Sequence, residues 1–407
     1  MPKKKIHIIG AGLSGLSAAV SAIGKGFDVH IYEATGQAGG RCRSFKDDLL
    51  DTEIDNGNHL LLGANKAALG FIDEIDAKDN FNFLQNPQIP FFSLNTDEQW
   101  QLDTSNIFSC ISSIPNVGFN EYIKSLRLML TNQQATIEEC LNACDNLLGN
   151  FWKPMSVSLL NTPKEKASAY MLRHILGIIA MQGNDGLNTY LPKKTWSSAI
   201  INPAVSYIEN HGGELSFHER IRDIEVKDDR ITSLTLEGSK VAVKKGDYVI
   251  FAVTSSALKK LIPEIEVPEE TNSIINVYFR YPYETKIPFA GVVGGMVDWM
   301  FFKDGLISTT TSAANEIAGE KEEILAKRAW EDIKKATKIT SSHVPLYKVI
   351  KEKRATFSCT PESLNKRTKP LTKIKNMVIA GDFTDTGLPG TMEGAIKSGV
   401  KAAKLCS

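Results

Sequence analysis

The chain has 407 residues, which is enough for two domains rather than one small core. Apolar residues make up 42% and charged residues 23%, the balance of an ordinary globular protein. Lys and Arg together number 47, and so do Asp and Glu, so the net charge is zero. This balance excludes the strongly basic composition of a nucleic-acid-binding chain, and we predict no nucleic-acid partner.

The cysteines do not predict a disulfide framework or a metal site. Cys140 and Cys144 lie four residues apart, but no histidine is near them in the sequence to complete a zinc site. We therefore predict no metal, and free thiols in a reducing cytoplasm.

The N-terminus has the basic start and apolar continuation of a signal peptide. Glycines at positions 10, 12 and 15 interrupt the apolar part, so we interpret it as folded protein. No apolar run reaches the ~20 residues that span a bilayer. The nearest, residues 287–302, contains a proline and an aspartate and is predicted to form paired strands.

The first elements predict a parallel sheet. Residues 5–10 are predicted to form a buried strand, and residues 28–33 a second strand. Residues 13–25 between them are rich in Ala, Ser and Leu, which is typical of a helix. Strand, helix and strand in this order form a βαβ unit.

The rest of the chain alternates between helical and strand-rich stretches. Residues 66–190 are predicted to be mostly helical, with amphipathic helices over 126–148 and 167–181. A helix near Pro203 is predicted to end before two glycines at 212–213. The remaining predicted elements are strands at 214–218, 221–226, 231–236 and 247–253, a strand-rich stretch at 274–310, a helix at 314–337, a strand at 377–381 and a helix at 392–405.

A glycine motif follows the first strand and opens the first helix. In this context Gly10 permits a tight turn, Gly12 lets a pyrophosphate approach the backbone, and Gly15 lets the helix pack on the strand. Leu13 and Ser14 begin the helix, whose free N–H groups would face the phosphates. The motif predicts a dinucleotide-binding site.

A carboxylate and a second glycine group extend this motif. Glu33 ends the second strand, where it can accept hydrogen bonds from ribose hydroxyls. Gly39, Gly40 and Arg41 follow, and the whole arrangement resembles the amine oxidase and carotenoid desaturase superfamily of flavoenzymes. The resemblance implies that FAD is the cofactor and that Arg41 aids pyrophosphate binding.

A second flavin signature lies near the C-terminus. Gly381 and Asp382 end a predicted buried strand, where the carboxylate can bind a hydroxyl of the cofactor. A glycine-rich turn then opens the last helix, whose N-terminus can face the flavin and stabilise negative charge on it. The resemblance implies cofactor contacts from Leu388, Pro389, Met392 and Glu393, and from Val226 in a strand that touches adenine through its backbone. We expect Glu393 to order the helix start near the flavin rather than to act as an acid.

The closest resemblance is narrower. Residues 54–62 (Ile-Asp-Asn-Gly-Asn-His-Leu-Leu-Leu), residues 351–357 and the ending at 386–399 are similar to hydroxysqualene dehydroxylases, FAD-dependent enzymes of bacterial hopanoid pathways. The likeness extends over the whole chain. Gly390 departs from it, since we expect a small residue such as Ala there.

This resemblance implies a fold and a division of the chain. The fold class is α/β, with a Rossmann-like FAD-binding domain interleaved with an α+β substrate domain, of the amine oxidase and phytoene desaturase type. Residues 1–75, 196–265 and 345–407 are predicted to form the FAD-binding domain. Residues 76–195 and 266–344 are predicted to form the substrate domain.

The resemblance also implies the reaction. The family replaces the hydroxyl of the C30 alcohol hydroxysqualene with hydride and gives squalene. His59 and Asp55 follow the flavin-binding segment, and either they supply the proton for the leaving hydroxyl or they only hydrogen-bond the loop. An electron donor that the sequence does not identify must reduce FAD.

The hydrophobic substrate implies a tunnel and a membrane. Aromatic residues more often form plain core, but the candidates for the tunnel are Phe91, Phe92, Trp152, Trp196, Trp299, Phe301 and Phe302. The substrate is almost insoluble in water, so we predict a peripheral contact with the inner membrane, with residues 105–160 as the candidate surface. Helices packed on the domain core explain the pattern of this stretch at least as well.

Three other functions stay open at this point. A carotenoid-type desaturase or isomerase would share the fold and FAD but run the hydride in the opposite direction. An amine oxidase is disfavoured because no cysteine lies within the C-terminal signature. A non-enzymatic prenyl-lipid carrier on the same fold would not need the two intact flavin motifs.

Overall fold

The computed structural model describes residues 3–406, which contain twenty strands and thirteen α-helices. The strands are β1 (Lys5–Ile9), β2 (Asp28–Tyr32), β3 (Ser44–Asp47), β4 (Thr52–Asp55), β5 (Leu61–Leu62), β6 (Phe81–Leu84), β7 (Gln88–Ser93), β8 (Gln99–Asp103), β9 (Thr189–Pro192), β10 (Glu214–Ser216), β11 (Asp223–Lys227), β12 (Arg230–Thr235), β13 (Lys240–Ala242), β14 (Tyr248–Phe251), β15 (Thr271–Arg280), β16 (Phe289–Val293), β17 (Trp299–Lys303), β18 (Leu306–Thr311), β19 (Tyr347–Phe357) and β20 (Met377–Ile379). The helices are α1 (Leu13–Ile23), α2 (Lys66–Glu74), α3 (Ile107–Ser112), α4 (Phe119–Ser125), α5 (Ile137–Leu141), α6 (Asp145–Leu147), α7 (Lys153–Leu160), α8 (Ala169–Met181), α9 (Asn202–Asn210), α10 (Ser255–Leu261), α11 (Glu322–Thr337), α12 (Pro361–Asn365) and α13 (Met392–Leu405).

The first of the two largest sheets has five strands, all of them parallel. Its strand order is β10-β2-β1-β14-β20, so β1 from the N-terminus lies two strands away from β20 near the C-terminus. The predicted βαβ unit is confirmed. The order explains how motifs at opposite ends of the chain meet, because the carboxyl ends of parallel strands lie at one edge of the sheet.

Both faces of this sheet are covered, which is why residues 6–9 of β1 are buried. Ile6 and Ile8 pack against the helices α1, α9 and α13. Ile9 packs on the opposite side, in a core that includes Ile231 and Leu234 of the three-stranded sheet β11-β12-β13. Burial on both faces is the normal environment of a parallel sheet.

The second of the two largest sheets has seven strands, in the order β19-β15-β18-β17-β16-β7-β8. One face packs against α11 through a core that includes Phe279 and Trp330. The other face packs against the helices between residues 107 and 181, in a core that includes Phe91 and Phe289. The predicted pairing within residues 287–302 is confirmed, since β16 and β17 are antiparallel neighbours.

The strand β19 crosses the predicted domain division. The sequence-based boundary at residue 345 assigns this strand to the FAD-binding domain, but its hydrogen bonds pair it with β15 in the seven-stranded sheet. The rest of the predicted division stays a prediction.

The prediction of mostly helical structure over residues 66–190 is wrong in two places. Three strands, β6, β7 and β8, occupy much of residues 81–103. The predicted helix over 126–148 is also broken, because Asn132 accepts the backbone N–H groups of Gln134 and Ala135 in a turn. Thr136 then starts α5 with a capping box to Glu139.

The structure also bears on membrane crossing and on the thiols. Within residues 3–406, no helix combines the length and the apolar character that crossing a bilayer requires. Cys42, Cys110, Cys359 and Cys406 are buried free thiols. Burial raises the pKa of the Cys359 and Cys406 thiols to about 12, so these side chains stay protonated.

Candidate functional site

The three glycines of the N-terminal motif have three different surroundings. Gly10 has φ +104°, and an added Cβ would lie 2.6 Å from the carbonyl oxygen of Ala252. A Cβ on Gly15 would lie 1.9 Å from the carbonyl oxygen of Gly10. No atom lies within 4 Å of a Cβ built on Gly12. Gly10 and Gly15 are therefore needed by the fold, whereas Gly12 faces the open space that a pyrophosphate would need.

The start of α1 has free N–H groups beside this space. Gly12 is its N-cap residue, and no side chain caps the helix. Leu13 is the first helical residue, and the Ser14 hydroxyl lies 3.3 Å from the hydroxyl of Ser398 in α13. The Ser14 side chain therefore joins the two helices, while its backbone N–H lies in the first turn of α1, where an anion would bind.

Glu33 is fixed beside the glycine loop. Its Oε2 accepts the Ala11 N–H at 2.8 Å and its Oε1 accepts the Thr35 N–H at 2.9 Å. The segment His218–Glu219 also contacts Glu33, because the Glu219 N–H donates to the Glu33 carbonyl at 2.8 Å. Val226 lies further along, 42% exposed and paired with Ile231 in β12, so its adenine contact stays a prediction from the sequence alone.

The two flavin motifs touch each other through an ion pair. Arg41 Nη2 lies 2.7 Å from Asp382 Oδ1, and Arg41 Nη1 donates to the Ala355 carbonyl at 2.5 Å. The charge of Asp382 raises the pKa of the Arg41 guanidinium. Gly39 and Gly40 precede Arg41 with positive φ values of +108° and +55°, which shape the turn that presents its side chain. Residues 341 positions apart in the chain thus share one site.

A buried arginine that the sequence analysis missed holds the C-terminal glycine-rich turn. Arg367 donates to the carbonyls of Leu388 at 2.5 Å and Asp382 at 2.9 Å, to the Thr386 hydroxyl at 3.0 Å, and to the Thr384 carbonyl. Its guanidinium also lies 5.0 Å from the ring centre of Phe357. An arginine in the segment between α12 and β20 belongs to no motif, so the sequence offered no signal for it.

Pro389 and Gly390 complete this turn. A Cβ on Gly390 would lie 2.9 Å from the Cβ of Thr356 and 3.1 Å from Asp382 Oδ2. The tight contact with Thr356 explains the glycine where an alanine was expected. Thr391 caps α13 by accepting the Gly394 N–H at 3.1 Å, and Met392 is the first residue of this helix.

Glu393 orders a helix start, as expected, but the helix is α2. Its carboxylate accepts the N–H groups of Ala67 at 2.9 Å and Ala68 at 2.8 Å. Burial raises the pKa of Glu393, and these two hydrogen bonds oppose the rise. A buried carboxylate with both oxygens bonded to a helix N-terminus is a structural anchor near the turn.

Replacing Arg367 with methionine is expected to destabilise the protein by on the order of 3 kcal/mol, because three buried carbonyls would lose a donor. Flavin affinity should fall as well, since the turn carrying Leu388 and Pro389 would loosen. Thermal unfolding and flavin titration measure the two effects. The exposed Arg328, paired with Glu320 at 3.0 Å, provides the control, and Arg328→Met should change stability by less than about 0.5 kcal/mol. Equal effects of the two substitutions would contradict the assigned role of Arg367.

Hydrogen bonds fix both the side chain and the backbone carbonyl of Asp55. Its Oδ1 accepts the Ser44 hydroxyl at 2.6 Å and the Trp196 N–H at 2.8 Å, and its carbonyl accepts the Tyr278 hydroxyl at 2.8 Å. Burial raises the pKa of Asp55 to about 6, against these hydrogen bonds. The contacts explain Asp55 as the residue that fixes the start of the loop 55–59.

His59 is different, because within residues 3–406 its ring nitrogens have no hydrogen-bond partner. The ring is partly accessible and lies edge-on to Trp196, with centroids 5.9 Å apart. Burial, and then the charge of Arg41, lower the pKa of His59 to about 4. The imidazole is therefore neutral at pH 7, and both of its nitrogens are available to a bound molecule.

Comparison with known proteins identifies the family. The profile of the flavin containing amine oxidoreductase family matches residues 13–138 and 186–407. The chain is 36% identical to the hydroxysqualene dehydroxylase of Zymomonas mobilis subsp. mobilis over 98% of both chains. It is 33% identical to that of Sinorhizobium fredii, over 100% of this chain and 98% of the other. The chain belongs to the hydroxysqualene dehydroxylase family.

Other comparisons agree on the fold and place the carotenoid desaturases, one of the alternative functions, at a greater distance. An oxidoreductase from Methanosarcina mazei, 15% identical, superimposes with a TM-score of 0.77 over 98% of this chain and 100% of its own. Carotenoid desaturases match at only 22–24% identity. The predicted α/β flavoenzyme fold is confirmed, and this member of the hydroxysqualene dehydroxylase family is a flavin-dependent oxidoreductase.

Proposed function

We propose that this protein converts hydroxysqualene to squalene with FAD as its cofactor. In this reaction a C–O bond at an allylic carbon breaks, a C–H bond forms there, and the hydroxyl leaves with one proton as water. The observation that carries the proposal is the whole-chain similarity to hydroxysqualene dehydroxylases, joined to a site in which both flavin motifs are intact.

The residues at the sheet edge fit a dinucleotide. Gly12 leaves space beside the free N–H groups of α1, Glu33 can accept ribose hydroxyls, and Arg41 supplies a positive charge for the pyrophosphate. Leu388, Pro389 and the start of α13 would lie against the flavin. When bound and reduced, FAD supplies the hydride.

His59 is the residue that we propose as the proton relay. A ring with two unbonded nitrogens can release a proton from one nitrogen while the other takes one up. The departing hydroxyl needs such a proton, because hydroxide is a poor leaving group in an apolar site. We assign Asp55 to holding the loop, because its Oδ1 accepts both the Ser44 hydroxyl and the Trp196 N–H.

Several apolar side chains support an internal channel for the hydrocarbon. Leu60 and Leu62 follow His59, and both stay partly accessible although they pack against the core. Trp299 and Phe301 of β17 share this property. Of the other aromatic candidates, Phe92 and Phe302 pack on the opposite side of the sheet against α11, and Trp152 and Trp196 are almost fully buried, which fits plain core packing.

An exposed apolar surface supports contact with a membrane. Phe108, Phe119 and Leu130 are 80%, 77% and 88% exposed, and the same segment exposes Ile123, Leu126 and Met129. Lys124 and Arg127 lie among them, so basic groups accompany the apolar ones. This surface, residues 108–130, lies within the predicted stretch 105–160. We propose that it binds the cytoplasmic side of the inner membrane, from which a water-insoluble alcohol would enter.

Substituting Phe108, Phe119 and Leu130 together with serine is expected to release the protein from vesicles of mixed neutral and anionic lipid. Loss of this apolar area should weaken binding by at least about 30-fold. Co-sedimentation with vesicles measures it. Leu346 and Leu371, which are 57% and 59% exposed elsewhere, are the matched control, and replacing them with serine should leave binding unchanged. Equal binding of the two variants to the vesicles would contradict the role of residues 108–130 in membrane binding.

An anaerobic turnover experiment tests the reaction itself. The purified holoenzyme is reduced chemically and mixed with hydroxysqualene in detergent, and flavin absorbance and squalene are followed together. Flavin should reoxidise as squalene forms, in a 1:1 ratio. Flavin that stays reduced in the presence of the alcohol would contradict the proposal, and oxidised enzyme with a polyene hydrocarbon would then test the desaturase function.

A further inference from the structure

The pairing register of the seven-stranded sheet places polar and aromatic side chains in one continuous row. Asn276 of β15 lies opposite Thr310 of β18, and Thr310 lies opposite Trp299 of β17. Residues directly opposite each other in paired strands point to the same face. One face of the sheet therefore changes from polar at β15 and β18 to aromatic at β17.

A second row repeats the same change. Tyr278 lies opposite Ser308, Ser308 opposite Phe301, and Phe301 opposite Phe289. The ring centres of Phe289 and Phe301 are 6.2 Å apart, and those of Phe289 and Trp299 are 6.3 Å apart. The aromatic part is thus a connected surface, and the polar part borders it directly.

The polar part holds the loop that carries His59. The Ser308 hydroxyl donates to Asn58 Oδ1 at 2.9 Å, and Asn58 Nδ2 donates to the Thr309 carbonyl at 3.4 Å and the Thr310 hydroxyl at 3.2 Å. The Thr310 hydroxyl donates in turn to Asn276 Oδ1 at 2.9 Å. A carbonyl can only accept, so the contact with Thr309 fixes which end of the Asn58 amide is Nδ2.

Two side chains of this group remain partly accessible, while the others are buried. Ser308 and Thr310 are 6% and 8% exposed and Asn276 is 1% exposed, whereas Asn58 and His59 are intermediate. Asn58 Oδ1 accepts one hydrogen bond from Ser308 and keeps a second lone pair. His59 has both ring nitrogens unbonded within residues 3–406. One free acceptor, on Asn58, therefore lies next to the aromatic surface through Thr310, and the adjacent residue, His59, carries a free donor.

We propose that Asn58 is a specificity-determining residue that recognises the single hydroxyl of an isoprenoid alcohol, whose hydrocarbon chain lies along Trp299 and Phe301, the two partly accessible aromatic residues of β17. The alcohol O–H donates to Asn58 Oδ1 and its oxygen accepts from the His59 N–H. Ser308 and Thr310 are positioning residues that orient the Asn58 amide. The inference rests on the proposed function for the identity of the alcohol, and it adds the means of telling the alcohol from the hydrocarbon product.

The experiment measures binding rather than turnover. Oxidised holoenzyme is titrated with hydroxysqualene and with squalene in detergent, and the change in flavin absorbance gives a dissociation constant for each. We expect the wild type to prefer the alcohol, and Asn58→Leu to reduce this preference by about tenfold. Thr310→Val, which removes one hydroxyl at constant shape, should reduce it by about threefold.

Thr309→Val is the matched control. Thr309 is adjacent to Thr310 but points to the opposite face of the sheet, where its hydroxyl contacts the Val277 carbonyl at 3.4 Å. It should keep the wild-type preference. An unchanged preference in Asn58→Leu, or in Thr310→Val if Asn58→Leu does not fold, would overturn the inference. A wild type that binds the alcohol selectively but does not convert it would contradict the proposed reaction and leave the inference standing.

Discussion

Replacing Gly12 with valine is expected to give a folded protein that has lost its flavin. Gly12 has φ −74° and ψ 178°, an extended conformation that valine adopts readily, and a Cβ there meets no protein atom within 4 Å. The fold therefore has no reason to change. The side chain would instead occupy the space where the pyrophosphate approaches the backbone, and we expect flavin affinity to fall by at least about 100-fold.

The ratio of absorbance at the flavin band to that of the protein, with titration of the apoprotein, measures this effect. Gly70 in α2 is the matched control, because a Cβ there also meets no atom within 4 Å. Gly70→Val should purify with its flavin. Gly15→Val should fail to fold, since its Cβ would lie 1.9 Å from the Gly10 carbonyl oxygen. Normal flavin content in Gly12→Val would show that the cofactor lies elsewhere.

Replacing His59 with phenylalanine is expected to lower the rate of turnover by about 100- to 1,000-fold while flavin binding is retained. The substitution keeps a ring against Trp196 but removes both nitrogens, and with them the proton relay; a general acid contributes ~10²–10⁴ to a rate. Single-turnover reoxidation of reduced flavin by hydroxysqualene measures the loss. His211→Phe, at the exposed end of α9, should leave the rate unchanged.

Asp55→Asn separates the two candidates of the loop 55–59. The asparagine oxygen can still accept the Ser44 hydroxyl and the Trp196 N–H, so the loop should keep its shape. We expect the turnover rate to fall by less than about fivefold, because one charged acceptor is exchanged for a neutral one. A loss of turnover rate as large as that in His59→Phe would indicate that Asp55 is the proton donor.

The local elements near the cofactor were predictable because their signals are short-range. Gly10, Gly12 and Gly15 are needed within one turn, and the isoleucines of β1 reflect burial on both faces of a parallel sheet. The division of residues 66–190 into helices and strands was less predictable. Tertiary pairing gave β7 its neighbour β16, about 200 residues away, and apolar runs of this length fit a strand or a helix equally well.

The same limit applies within the site. His59 and Asp55 stand close in the sequence and were equivalent candidates, but Asp55 meets Ser44 and Trp196, while the His59 nitrogens have no partner within residues 3–406. Arg367 could not be identified at all, because its role depends on the turn at 382–388 folding around it.

The sequence by itself determined the family, the flavin motifs and the identity of the loop 55–59, since each is encoded in contiguous residues whose types serve one chemistry. The tertiary structure alone decided which members of that loop are already bonded and which are free. It also aligned Asn276, Thr310 and Trp299 in one row, because strand register joins residues that no local pattern connects.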